Sequence, residues 1–133
     1  MTQLPVLIRP AQDTDRSYIL KSWLLSWRKE EVNKHYTNAE YFAKTHLVFS
    51  TLLDHAKVVV LCTEQLNDQI LGFAVYDEDR LYWLQIKQIF QHLGLGKRLL
   101  AEVVGWRTEP LKCPYVRAQS RKYLIKYNLK EEV

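Results

Sequence analysis

The most informative part of the chain is the octapeptide Gln91-His92-Leu93-Gly94-Leu95-Gly96-Lys97-Arg98. It separates the strand-like run 81–86 from a segment in which apolar residues recur with the period of a helix. Glycines at a strand-to-helix junction let main-chain N–H groups point toward one site, and the helix N-terminus adds about half a positive charge there. The octapeptide therefore predicts an anion-binding loop suited to a pyrophosphate.

Two common phosphate-binding motifs do not match this loop. A Walker loop would require glycine at position 91 and serine or threonine at position 98, where the chain has Gln91 and Arg98. A dinucleotide-binding fingerprint would require glycine or alanine at position 99, which is Leu99. The sequence therefore excludes both classes of nucleotide-binding loop at this place.

The residues before the loop predict one strand, two helices and a three-stranded antiparallel meander. A short strand over 5–10 ends at a proline, and amphipathic helices are expected over 17–29 and, with Asn38 as cap, up to Leu53. The strands of the meander are three apolar runs that polar turns separate, at 57–62, 70–76 and 81–86.

The residues after the loop predict a helix, a strand and a last helix. The first of these helices starts at Leu95 and ends near Gly105, because its apolar residues share one face. Beyond Pro110 we expect a strand over 115–119 and a helix over 120–128. This order of elements predicts an α/β (α+β) fold in which helices flank a central mixed, mostly antiparallel sheet.

Length and composition are those of one globular domain. The chain has 133 residues, of which 47% are hydrophobic and 26% charged, so we expect a single domain over 1–133. No run approaches the roughly 18 apolar residues of a membrane span, and the N-terminus lacks the pattern of a signal peptide; both observations favour a soluble, cytoplasmic protein. Cys62 and Cys113 are predicted to be buried thiols, and no spacing indicates a metal site.

The net charge of +4 favours an anionic ligand or partner. Basic residues concentrate only in the C-terminal tail, at Arg117, Arg121, Lys122 and Lys126, and two glutamates follow them. We interpret this tail as a solvated face, which leaves nucleic acid as a minor alternative partner.

The loop resembles the Gln/Arg-x-x-Gly-x-Gly/Ala signature of the GCN5-related N-acetyltransferases, the GNAT family, because Gln91, Gly94 and Gly96 match it. In that family an apolar residue usually ends the fourth strand five positions before the signature, and Ile86 occupies this position. The opening 8–11, Ile-Arg-Pro-Ala, and the order of elements are also similar to the family. The resemblance implies the GNAT fold with a shortened C-terminal end, and small phage-encoded members are vaguely similar around 86–91.

The resemblance implies that the protein binds acetyl coenzyme A. The pyrophosphate would lie on main-chain amides of the loop, which are those of Gln91, His92, Leu93, Gly94, Leu95, Gly96 and Lys97. The pantetheine arm would hydrogen-bond to the main chain around Leu84 and Ile86. Lys97 and Arg98 are candidates for direct contacts with phosphate.

The resemblance also suggests a catalytic acid. Members often carry asparagine at the end of the fifth strand and, seven residues later, a tyrosine that protonates the leaving thiolate. Ser120 stands at the asparagine position and Tyr127 falls seven residues on, so Tyr127 is the candidate acid and Tyr123 the alternative. No residue corresponds to the glutamate base that some relatives carry on the fourth strand. Candidates for acceptor binding are Tyr82, Gln85, His35 and Tyr36.

Together these features predict an acetyl-coenzyme-A-dependent N-acetyltransferase that transfers acetyl to a primary amine by direct attack. The alternative is a non-catalytic member of the fold that acts as a protein-binding or virion-associated module, which the absence of a base favours. Typical members add two strands after the last helix, whereas only 129–133 remain here. We therefore expect a sheet edge that is open or covered by a second copy in a homodimer.

Overall fold

The structure is a computed structural model that describes residues 5–66, 69–91, 93–105 and 107–132. Short 3₁₀ turns connect several of the main elements. In chain order these elements are β1 (Val6–Pro10), α1 (Arg16–Arg28), α2 (Asn38–His55), β2 (Lys57–Thr63), β3 (Ile70–Tyr76), β4 (Leu81–Ile86), α3 (Leu95–Val104), β5 (Leu111–Cys113) and β6 (Leu129–Glu131).

Strands β1 to β4 form one antiparallel sheet in chain order. Ile8 pairs with Leu61, Val60 with Phe73, and Ala74 with Leu84 across the three ladders. The predicted meander is confirmed, and β3 and β4 have the predicted bounds. The α+β architecture predicted from the order of elements is confirmed as well.

Helices cover both faces of this sheet. Helices α1 and α2 pack on one face, where the ring centroids of Trp23 and Phe49 stack 3.7 Å apart. Helix α3 packs on the other face through Leu99 and Val103, both fully buried. Because both layers meet at β3, this strand is buried along nearly its whole length. No helix of the described residues is long and apolar enough to span a membrane.

The start of α2 differs by one residue from the prediction. The cap is Thr37 rather than Asn38, since the Thr37 hydroxyl accepts a hydrogen bond from the Glu40 N–H at 3.1 Å. The Glu40 carboxylate in turn accepts from the Thr37 N–H at 2.8 Å, which completes a capping box.

The predicted strand over 115–119 and helix over 120–128 are wrong. The strand β5 lies earlier, at Leu111–Cys113, and Ala118–Tyr123 forms a 3₁₀ turn. The chain then turns through Asn128, whose φ is +59°, into β6, which pairs in parallel with β5. This long-range pairing overrides the helical propensity of the segment. One short strand, β6, therefore follows the last turn and pairs with β5.

Strands β4 and β5 meet only near their beginnings. An isolated parallel bridge joins Arg80 to Lys112, and the Lys112 N–H donates to the Asp79 carbonyl at 2.9 Å. Beyond this bridge the described residues form no further ladder between the two strands. A cleft lies between β4 and the C-terminal segment.

Candidate functional site

Gly94 begins helix α3 in a left-handed conformation. Its φ is +77° and ψ is 7°, which a residue with a side chain adopts only at a cost. The first N–H that bonds within the helix is that of Arg98, which donates to the Gly94 carbonyl at 3.1 Å. The N–H groups of 95–97 therefore have no acceptor in α3, as is usual for the first turn of a helix. Amides in this arrangement, together with the helix dipole, are suited to an anion, and we call this turn the cradle.

The first residue of the signature ties this loop to the end of β4. The Gln91 side-chain amide donates to the Ile86 carbonyl at 3.1 Å, and the Gln91 N–H donates to the Gln88 carbonyl at 3.2 Å. Gly96 lies beside the same strand end, because a Cβ on Gly96 would be 3.7 Å from Ile86 Cγ1. The cradle is thus held directly against the last residue of β4.

The cleft beside β4 has a volume of about 260 Å³. It extends from Gly96 and Lys97 at the cradle, along Leu84, to the C-terminal segment. Its walls are mostly apolar and aromatic, and its full lining is Leu81, Tyr82, Trp83, Leu84, Gly96, Lys97, Leu100, Cys113, Tyr115, Val116, Arg117, Ser120, Tyr123, Leu124, Tyr127 and Leu129.

The structure brings Ser120, Tyr123 and Tyr127 to one wall of the cleft, although the predicted helix that was to carry them is absent. The rings of Tyr123 and Tyr127 have centroids 6.4 Å apart. Tyr127 packs against the core beneath α3, whereas Tyr123 is 45% exposed. Tyr127 is therefore the better held of the two phenols.

Arg117 crosses the cleft, although it belongs to the basic tail that we interpreted as a solvated face. Its Nη2 donates to the Leu84 carbonyl at 2.7 Å, and its Cζ lies 4.7 Å from the centroid of the Trp83 ring. Burial lowers the pKa of the Arg117 guanidinium, and the Glu30 carboxylate opposes this shift. The partial burial of Arg117 contradicts our interpretation of the whole basic tail as solvated. The apolar residues next to Arg117 were the one sign of this burial in the sequence.

Tyr82 and Cys113 contribute no anion to the cleft at neutral pH. Burial and the hydrogen bond from the Tyr82 hydroxyl to Asp77 Oδ2, 2.6 Å long, raise the pKa of Tyr82 to about 12. Burial raises the pKa of the Cys113 thiol to about 11. Both predicted thiols are free and buried, since Cys62 is also enclosed.

The other residues of the predicted cofactor site differ in what they can offer. Leu84 and Lys97 line the cleft, whereas the Ile86 and Leu95 side chains are buried in the core, so these two offer only main-chain groups. Leu93 is 59% exposed. Arg98 donates to the Val6 carbonyl at 3.3 Å, toward β1. His92 lies outside the described residues.

The predicted acceptor-binding residues are not all near the cleft. Tyr82 lines it, and Gln85 accepts a hydrogen bond from the Trp83 indole N–H at 2.8 Å. His35 and Tyr36 are in ring contact with each other and lie outside the lining of the cleft. Among the residues that the structure describes, no cluster of three or more His, Cys, Asp or Glu could hold a metal ion.

A helix N-terminal cradle at the end of β4, with a cleft between β4 and β5, defines the GCN5-related N-acetyltransferase fold. Solved structures agree: a candidate acetyltransferase from Deinococcus radiodurans R1 has a TM-score of 0.59 at 17% identity, with 100% of this chain and 90% of that chain covered. A candidate acetyltransferase from Pyrococcus furiosus has a TM-score of 0.60 at 16% identity, with 96% and 80% covered.

A GCN5-related N-acetyltransferase from Rhodopseudomonas palustris also matches, with a TM-score of 0.53 at 15% identity over 77% of this chain. The present chain spans 65% of the length of that protein. No protein-family model matches the sequence, and no curated protein matches it. The chain therefore has the GNAT fold, and it shares little sequence with these proteins of the same fold.

Proposed function

We propose that the protein is an acetyl-coenzyme-A-dependent N-acetyltransferase that acts on a primary amine by direct attack. The observation that carries this proposal is the continuity of the α3 cradle with the cleft: Gly96 and Lys97 belong to both. A ligand with an anionic end and a long, less polar arm fits such a site, because the cradle offers amides and the cleft is mostly apolar.

The residues present fit coenzyme A. The N–H groups of the first turn of α3, which have no acceptor within the helix, would hold the pyrophosphate, and a side chain at Gly94 is disfavoured by its backbone conformation rather than by crowding. The main chain at Leu84, which lines the cleft, and at Ile86 would border the path of the pantetheine arm, and the Lys97 side chain adds a positive charge at the cradle. When bound, acetyl coenzyme A supplies a thioester whose acetyl carbon bonds to the amine nitrogen as the bond to sulfur breaks.

Tyr127 is the proposed proton donor. Its hydroxyl would hold the proton that the leaving sulfur requires, and Tyr127 lines the cleft opposite β4. Ser120, on the same wall, replaces the asparagine that members of the family often carry. The proton that the acceptor amine loses would pass to water, and water would return a proton to Tyr127, since Tyr82 is a neutral phenol and the lining of the cleft includes no described carboxylate.

Coenzyme A binding is the first test. A ligand that binds only the folded state should add about 2.7 kcal/mol to the free energy of unfolding at 100 times its dissociation constant. We expect millimolar coenzyme A to raise the melting temperature by several degrees, and an amine panel to release free thiol from acetyl coenzyme A. A melting temperature that coenzyme A leaves unchanged would overturn the proposal.

Two substitutions at Gly94 sharpen this test. Valine is strained at positive φ by about 1–2 kcal/mol, whereas asparagine adopts this conformation more readily. Gly94→Val should therefore weaken coenzyme A binding at least tenfold, and Gly94→Asn should retain more of the affinity. Equal, wild-type affinity in both variants would show that this loop is not the binding site.

A second function has one observation in its favour. Because Arg117 already bonds to the Leu84 carbonyl, the cleft is bridged at the point where the pantetheine arm would pass. A non-catalytic protein-binding or virion-associated module could retain such a bridge permanently. Failure of the folded protein to release thiol from acetyl coenzyme A with every amine tested would favour this module over the enzyme.

We further propose a homodimer and a cytoplasmic location. Strand β6 covers β5 but has only three residues, and its outer edge can pair with a second copy. Ile125, just before β6, is 93% exposed, as expected if association covers it. Light scattering that returns a monomer at high micromolar concentration would overturn the dimer. The two free thiols suit a reducing compartment.

A further inference from the structure

The cleft is positively charged on both sides and holds no matching acid. Its lining contains Lys97 near the cradle and Arg117 in the C-terminal segment, and no Asp or Glu occurs among the described residues that line it. Lys97 belongs to the cradle that the pyrophosphate is proposed to fill. Arg117 contacts Leu84, two residues before Ile86 and therefore roughly 7 Å farther along β4. The two charges thus serve different parts of a ligand.

Several other arginines of the protein have a carboxylate partner. Arg9 lies 2.8 Å from Asp15, Arg80 lies 3.1 Å from Glu132, and Arg121 lies 3.1 Å from Glu131. Among the described residues, Arg117 has no carboxylate within ion-pair distance. It is nevertheless half-buried, so water solvates its charge poorly.

The nearest acid that acts on Arg117 is already engaged. The Glu30 carboxylate opposes the fall in the pKa of Arg117, but its Oε1 accepts a hydrogen bond from the Ala118 N–H at 2.9 Å. This bond ties the loop after α1 to the C-terminal segment. Glu30 therefore holds the C-terminal segment in place rather than acting as a direct counter-ion of Arg117.

Geometry leaves most of the Arg117 guanidinium free to bind a ligand. A guanidinium has five N–H donors, and the structure shows one bond, from Nη2 to the Leu84 carbonyl. The Trp83 ring packs against the guanidinium and helps to hold its plane. A planar fork held in this way matches a carboxylate, which can accept two parallel hydrogen bonds.

We propose that Arg117 binds a carboxylate group of the substrate in the cleft, beside the end of the coenzyme A arm that reaches Leu84. This inference rests on the proposed function and adds a substrate class to it. The carboxylate has two possible sources. It belongs either to the acyl group, as in a dicarboxylic acyl thioester, or to an amine acceptor that is also an acid, as in an amino acid.

The first experiment measures binding of two acyl donors of matched length. Succinyl coenzyme A ends in a carboxylate, and butyryl coenzyme A has the same number of acyl carbons without it. If the carboxylate comes from the acyl group, calorimetry should show that wild-type protein binds the succinyl thioester at least tenfold more tightly. Arg117→Gln should remove this preference, and Arg117→Lys should retain part of it, because lysine keeps the charge but lacks the fork.

The second experiment tests the acceptor. With saturating coenzyme A present, the melting temperature is measured with each amino acid and with its amide, which lacks the carboxylate. If the carboxylate comes from the acceptor, at least one amino acid should raise the melting temperature of the wild type by several degrees more than its amide does. Arg117→Gln should abolish the difference.

Controls separate this inference from the proposed function. Lys122→Gln removes an exposed cation outside the lining of the cleft and should behave as wild type in both experiments. Acetyl coenzyme A binding by Arg117→Gln confirms that this variant is folded. If coenzyme A binds but no carboxylate preference occurs in either experiment, the inference is overturned and the proposed function stands. If coenzyme A does not bind to the wild type, both are overturned.

Discussion

The side-chain amide of Gln91 donates a hydrogen bond to the main-chain carbonyl of Ile86 across a 3.1 Å distance. Ile86 is the last residue of β4, and Gln91 lies three residues before the left-handed Gly94 that starts α3. The bond therefore closes the connection between strand and helix. It keeps the anion cradle in line with the cleft, whose wall is formed by the preceding residues of β4.

Gln91→Ala should weaken coenzyme A binding more than it weakens the fold. The loss of one hydrogen bond removes about 0.5–1.5 kcal/mol, which corresponds to a rise of roughly 2- to 12-fold in the dissociation constant if the cradle moves. Calorimetric titration measures this change. Gln88→Ala, at an exposed position of the neighbouring 3₁₀ turn, is the control and should bind as the wild type does. The same affinity in both variants would contradict the role of Gln91.

Alanine at Gly72 and at Gly96 should have opposite effects on stability. A Cβ on Gly72 would lie 2.4 Å from Ile86 Cδ1 and 2.6 Å from the Gln85 carbonyl oxygen, so Gly72→Ala forces β3 and β4 apart and should cost about 1–3 kcal/mol. A Cβ on Gly96 makes ordinary contact, and alanine is the better helix former by about 0.5–1 kcal/mol. Urea denaturation measures both changes.

A larger side chain at position 96 should separate stability from binding. Because Gly96 lines the cleft at the cradle, Gly96→Val should weaken coenzyme A binding, whereas Gly96→Ala, which the Gly/Ala position of the signature allows, should bind as the wild type does. If Gly96→Val binds coenzyme A as tightly as the wild type, the main chain at Gly96 does not approach the ligand closely.

Stability should fall at acid pH because of Asp15. The Arg9 guanidinium, 2.8 Å from Asp15 Oδ2, holds the pKa of this carboxyl below its ordinary value, while burial opposes the shift. A carboxyl group with a lowered folded-state pKa stabilises the fold above its unfolded-state pKa, about 3.9, and ceases to do so as the pH falls through the folded-state value. The free energy of unfolding should therefore decline below about pH 4.

Asp15→Asn tests that assignment. It should lower the free energy of unfolding at neutral pH by about 1–3 kcal/mol and flatten its decline in acid, as measured by urea denaturation at several pH values. Asp54→Asn is the matched control, because Asp54 pairs with Arg16 at 2.9 Å but is 59% exposed, and it should change stability by less than about 1 kcal/mol. An acid decline as steep in Asp15→Asn as in the wild type would refute the assignment.

Tyr127→Phe should lower turnover by roughly 100-fold or more with little change in coenzyme A affinity, as for the loss of a positioned acid. The effect should shrink as the pH rises, because a thiolate with a pKa near 8.5 then leaves more readily without a proton. Tyr123→Phe, in the more exposed ring of the pair, is the control and should retain most of the activity. Initial rates on a verified amine acceptor measure the turnover of both variants. Near-full activity in Tyr127→Phe would show that Tyr127 is not the acid.

Local patterns in the sequence were sufficient for the central part of the fold. The apolar runs of β3 and β4 and the helical periodicity of α3 predicted these elements with the bounds that the structure has. The glycines of the loop predicted the turn that starts α3, because a left-handed residue at a strand-to-helix junction is a local requirement that Gly94 meets. Such features depend on residues that are close together in the chain, so they can be predicted from the sequence alone.

The C-terminal part was decided by contacts between distant residues. Residues 115–128 have a weak pattern, and they follow a path set by the pairing of β5 with β6 rather than by helical propensity. Arg117 belongs to a basic tail, but it lies in the cleft because it contacts Leu84 and Trp83, more than thirty residues earlier in the chain. Burial of a charge depends on which distant segments of the chain pack together in the fold. Local periodicity does not predict that packing.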